Sequence, residues 1–112
     1  MDKLAKMTDR LAEVKLRFRS RALDNCHEIR VLTERLQEPG ARDDSREQIR
    51  RLAHSLAGTA GTFGFVEISK AAASLEDQID AGIDDGMLTV LSEQVAATIQ
   101  AIIEGETVPM PA

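Results

Sequence analysis

Apolar residues recur along this chain every three to four positions, and strict apolar–polar alternation of the kind a half-buried strand needs is absent. Leu4, Met7, Leu11, Val14, Phe18, Ala22, Cys26, Ile29, Leu32 and Leu36 keep the helical period. They predict a first helix over about residues 3–37, ended by Glu38-Pro39-Gly40. Beyond that turn, Asp44 with Glu47, or Ser45 with Gln48, forms a capping-box pattern opening a second helix that reaches about Phe63. A third helix is predicted from about Val66 to Ala81, with Ile68, Ala72, Leu75 and Ile79 inward and Gly82 closing it. Asp84 or Asp85 caps a fourth over about residues 86–104, with Leu88, Leu91, Val95, Ile99 and Ile102 inward and Gly105 at its end. Short links favour antiparallel neighbours. The expected fold is therefore all-α: an antiparallel up-down four-helix bundle with a long or two-part N-terminal helix.

One domain is expected over residues 1–104, with residues 105–112 as a flexible tail. A continuous first helix would span about 50 Å, against about 30 Å for its neighbours. Residues 1–9 must then form either an extra short helix or an overhang, and residues 3–16 offer a face for pairing with a second copy.

Composition narrows the function classes. Three Phe and no Trp or Tyr leave an aliphatic core. The single Cys26 excludes an internal disulfide and lies on the apolar stripe, as buried filler would. The N-terminal stretch carries a charge every few residues, unlike a signal peptide. No segment is read as a membrane span of about 20 apolar residues, so a cytoplasmic protein without membrane contact is expected. A net charge of −5 and a pI near 5.0 argue against general nucleic-acid binding. Locally the sign reverses: Arg42, Arg46 and Arg50 are spaced by four with Arg51 alongside, a solvated helix face or a landing site for an acidic pocket or phosphoryl group.

That basic strip borders His54. At about 100° per residue, Ile49, Leu52, Leu56, Ala60 and Phe63 fall on the side of the second helix opposite His54. His54 shares its own face with Glu47, Arg50, Arg51, Ala57, Gly58 and Gly61. Each glycine costs about 1 kcal/mol of helix propensity relative to alanine. Lying off the apolar stripe, Gly58 and Gly61 point to close approach by something large, with helix packing as the weaker account. Gly64 after Phe63 reads as a helix terminator. His27 sits at the flank of the first stripe and reads as structural or solvated. A zinc site from His27, His54 and Cys26 is rejected, because their helix faces diverge.

The run AHSLAGTAGTFGF, followed by Ile68, Ala72 and Leu75-Glu76, resembles the signature of histidine-containing phosphotransfer (HPt) domains. The likeness spans about residues 49–79 and extends loosely to 10–104. It implies that His54 is phosphorylated and that Glu76 hydrogen-bonds the non-reacting ring nitrogen. It also implies receiver-domain partners, a hybrid histidine kinase upstream, no cofactor of the chain's own, and Mg²⁺ held by the receiver. One residue departs from the pattern: Ala57 stands where the family commonly has lysine, and Arg50 and Arg51 are the local substitutes. The expected partner surface is Ala57, Gly58, Gly61 and Ala53. The function this resemblance implies is that of a phosphorelay intermediate without a kinase domain, exchanging phosphoryl groups with receiver aspartates through His54, with a monomer favoured over a dimer through the N-terminal helix. A non-catalytic module that docks receivers and a dimeric helical scaffold remain as alternatives.

Overall fold

The computed structural model describes residues 2–105, and all four expected helices are present: α1 (Asp2–Arg35), α2 (Arg42–Thr62), α3 (Val66–Asp80) and α4 (Asp85–Gly105). The tail expected from residue 105 lies almost wholly outside the described residues. α1 packs between α2 and α4, and α3 closes the bundle on the other side against the same two helices. Ile29, Ile49, Leu56, Ile68, Leu75, Leu88, Ile99 and Ile103 are fully buried at its centre. Burying one such side chain contributes about 1.5–3 kcal/mol. The expected inward positions Leu52, Leu91, Ile79 and Ile102 are half-buried against that core.

The turns follow from local chemistry. Gly64 takes φ +82°, and its neighbours complete a Schellman closure: Phe65 N donates to the Ala60 carbonyl and Gly64 N to that of Gly61. Gly82, at φ +81°, closes α3 in the same way, with Ile83 N bonded to the Gln78 carbonyl and Gly82 N to that of Ile79. Asp84 caps α4 by accepting from Met87 N at 2.8 Å. The capping box expected for α2 does not form. That helix starts earlier, with Ala41 as N-cap and no side-chain cap. Asp43 and Asp44 lie inside the first turn, where their charges suit the helix dipole.

α1 is one continuous helix of 34 residues, so no separate N-terminal helix folds over the bundle. Its buried side chains begin only at Phe18. Residues 2–13 are exposed along their whole length and project from the end of the bundle, stretching the molecule to 57 Å, against 25 and 20 Å across. The three phenylalanines close the core at that end, with Phe18 stacked on Phe65 at 4.9 Å and tilted against Phe63 at 5.5 Å.

α4 amends one expectation, since it is long and apolar enough by length and composition to cross a membrane. Its apolar side is instead spent on the core, where Leu88, Val95, Ala96, Ile99 and Ile103 are buried. Cys26 is buried as expected. Its thiol contacts the Ala96 carbonyl at 3.2 Å and receives Arg30 Nη1 at 3.3 Å, and desolvation pushes its pKa up.

Candidate functional site

His54 stands in the middle of α2 with its side chain 74% exposed. The buried residues Ile49, Ala53, Leu56 and Ala60 turn the rest of the helix inward and hold the imidazole outward. Its Nδ1 lies 2.8 Å from Oε2 of Glu76, on α3. An ionised carboxylate only accepts, so in the neutral imidazole this pairing puts the proton on Nδ1 and leaves the Nε2 lone pair free. Glu76 is only 16% exposed. It is itself steadied by Arg50, whose Nη2 is 3.8 Å away and whose Nε donates to Asp80 Oδ1 at 2.6 Å. The hydrogen bond to Asp80 raises the Arg50 pKa further. An exposed nucleophilic nitrogen is thus backed by a fixed acceptor, itself neutralised by a fixed cation.

Arg50 and Arg51, expected as cations beside a phosphoryl group, both have carboxylate partners: Arg50 as above, and Arg51 with Glu47 at 3.1 Å. The rest of the basic strip is engaged too. Arg42 and Arg46 both bind Asp85, and Arg46 Nη2 also donates to the Ile83 carbonyl at 2.7 Å. The strip is therefore a set of ion pairs rather than an open landing site: Arg50 ties α2 to α3, Arg42 and Arg46 tie it to α4, and Arg51 pairs within α2.

The glycines separate. A Cβ on Gly58 would meet nothing within 4 Å, so the surface beside His54 is open there. A Cβ on Gly61 would come within 3.2 Å of Ser69 Oγ. The sequence reading placed packing second for Gly61, and the structure corrects it: Gly61 lets α3 approach α2. Ser69 then donates to the Ala57 carbonyl at 2.8 Å, one turn beyond His54. Ala57 is half-buried against the core. Ala53, expected on the partner surface, is fully buried and offers nothing to a partner; its position faces inward with Leu56 and Ala60.

Two residues escaped the sequence reading. Ser69 was invisible because its role depends on the register between α2 and α3. Val66, an exposed apolar residue at the start of α3, lies one turn before Ser69 and adds apolar surface at 52% exposure. His27 is exposed, and no group of three potential metal ligands occurs among the described residues.

A family model described as Hpt domain matches residues 2–105. No curated protein and no solved structure matches.

Proposed function

From the premise that this chain belongs to the Hpt domain family, we propose that it relays phosphoryl groups between receiver-domain aspartates through Nε2 of His54. The observation that carries this reading is the 2.8 Å contact between His54 Nδ1 and Glu76, which leaves the outward nitrogen as the nucleophile. In the forward step the Nε2 lone pair attacks the phosphorus of an aspartyl phosphate. The N–P bond forms, the acyl O–P bond breaks, and the aspartate departs as carboxylate. The imidazole keeps its Nδ1 proton and becomes a phosphoimidazolium, whose positive charge the Glu76 carboxylate offsets. No proton moves, so the chain needs an orienting acceptor and clearance more than acid–base machinery. Gly58 supports this reading by leaving the approach side open.

In this proposal the chain is a carrier with no kinase chemistry of its own, working in the cytoplasm as a monomer. A hybrid histidine kinase lies upstream, and any Mg²⁺ is held by the receiver's acidic pocket. Phosphoryl transfer from a panel of radiolabelled, phosphorylated receiver domains to the wild-type chain and to His54→Gln tests it. Acid-labile, alkali-stable label on the wild type alone is the expected result. Receiver binding without label on any member of the panel would replace relay with docking, and Ala57 is the residue that would then account for the loss.

A further inference from the structure

The projecting half of α1 carries an apolar seam that the bundle leaves uncovered. Leu4, Met7 and Leu11 are 75%, 62% and 61% exposed. With half-buried Val14 and with Phe18, where the stripe enters the core, they recur at alternating steps of three and four residues, the spacing of a coiled-coil seam. The charges around it are sorted. On a helical projection Lys3, Arg10 and Arg17 border one side of the seam and Lys15 the other, while Asp2, Asp9 and Glu13 turn to the far face. Residues 2–21 hold seven basic and three acidic side chains, a balance of 7 − 3 = +4 in a chain of net charge −5. Where the seam meets the bundle it runs into a cavity of about 180 Å³ lined by Val14, Phe18, Phe63 and Thr59, with Arg17 and Arg21 at its wall.

We propose that residues 3–18 of α1 are a docking surface for an acidic amphipathic helix of another protein, whose apolar positions fill the seam and whose carboxylates meet Lys3, Arg10, Lys15 and Arg17. Charge complementarity selects this occupant. In a parallel pair of two copies of α1, Arg10 faces Lys15 of its mate; in an antiparallel pair Arg10 faces Arg10 and Lys3 approaches Arg17. Like charges flanking a coiled-coil seam oppose self-pairing and leave an oppositely charged helix as the complement. The shape disfavours a lipid surface. The seam is a narrow stripe rather than the broad apolar face of an interfacial helix, and it ends in a concavity that a side chain fills and a flat bilayer does not. His54 is not among the residues that line the cavity.

The test uses the full chain and a labelled synthetic helix with leucine along its seam and glutamate on both flanks, followed by fluorescence anisotropy. A lysine-flanked counterpart, phosphatidylserine vesicles and sedimentation of the chain alone complete the set. The expected result is binding of the glutamate peptide in the micromolar range, about tenfold weaker for Leu11→Asp and for the double variant Arg10→Glu/Arg17→Glu. Binding should also weaken as salt rises, and His54→Gln should leave it unchanged. Leu11, Arg10 and Arg17 all lie outside the core, and circular dichroism with thermal melting verifies that each variant keeps its fold. Absence of peptide binding, equal binding of the two peptides, or binding indifferent to both variants overturns the proposal. So does a stable dimer of the chain, or vesicle binding without peptide binding, and each would name a different occupant.

Discussion

Nδ1 of His54 and Oε2 of Glu76 lie 2.8 Å apart although the residues are 22 positions apart and on different helices. The contact depends on the tight α2–α3 turn at Gly64, on the close approach that Gly61 allows, and on the Ser69 bond to the Ala57 carbonyl. Arg50 then holds the carboxylate from its other side. The geometry of one exposed imidazole is thus fixed by two glycines, a serine and an arginine, none of which is part of the His54–Glu76 hydrogen bond.

Replacing His54 by glutamine should abolish phosphorylation while hardly moving stability. The side chain is mostly in water and hydrogen-bonds Glu76 through one ring nitrogen, and surface substitutions of that kind usually shift stability by no more than about 0.5 kcal/mol. Phosphate labelling and thermal melting check both halves. A melting point lower by ten degrees or more would make His54 a structural residue.

Glu76→Ala should slow transfer by about 10–100-fold, the usual cost of removing a group that orients a reacting imidazole, whereas Glu76→Gln should keep much of the rate because its amide oxygen still accepts from Nδ1. Nitrogen-15 spectra of the histidine ring separate orientation from mere stability. The Ala variant should show a mixture of the two tautomers where the wild type holds its proton on Nδ1. Unchanged tautomer populations would remove Glu76 from this role.

The glycines should respond oppositely. Gly58→Ala should stabilise the protein by about 1 kcal/mol, because the added methyl meets only open space and helix propensity improves. Gly61→Ala should gain less or lose stability, since its methyl must displace Ser69. Denaturant melts measure both. Gly58→Leu should leave the fold intact and impair receiver docking; normal transfer by that variant would show that clearance beside His54 is not needed.

How far the sequence reaches is visible in these same residues. The period of Leu56, Ala60, Ile68 and Leu75 was enough to predict the helices, and Gly64 and Gly82 their ends, because those signals are local. The outward placement of His54 followed from the same period. The fate of Arg42, Arg46 and Arg50 did not, since their partners Asp85 and Asp80 come from helices whose register is set only by packing. For the same reason Gly61 looked like a clearance residue until Ser69 appeared opposite it. Ala53 was misplaced by reading nearness to His54 in sequence as nearness in space: adjacent helical residues point about 100° apart.

Acid should loosen the α2–α4 junction. Hydrogen bonds from Arg42 and then Arg46 hold the Asp85 carboxyl below the usual aspartate range. Because the folded value is the lower one, its stabilising contribution is complete above the unfolded value of about 3.9 and is lost as the pH falls through the folded value. Asp85→Asn should therefore lower stability at neutral pH and flatten the stability profile below about pH 4. A profile with the same acid slope in both proteins would assign that slope to other carboxylates.

Ala57→Lys addresses the one departure from the family pattern. Arg50 and Arg51 are each committed to carboxylates, so neither is released to a phosphoryl group without breaking an ion pair. Ala57 is half-buried on the α3 side of His54, a position from which a lysine stem can lie along apolar surface while its ammonium reaches water. A cation there adds a charge-assisted contact to the transferred phosphoryl group. The expected result is transfer accelerated several-fold, or a phosphohistidine longer-lived by a similar factor, on the order of 1 kcal/mol. Rapid-quench transfer and the decay of label in the isolated phosphoprotein measure the two. If neither changes, the existing arginines serve the phosphoryl group despite their pairing, and Arg50→Ala should then slow transfer beyond what its loss from Glu76 explains.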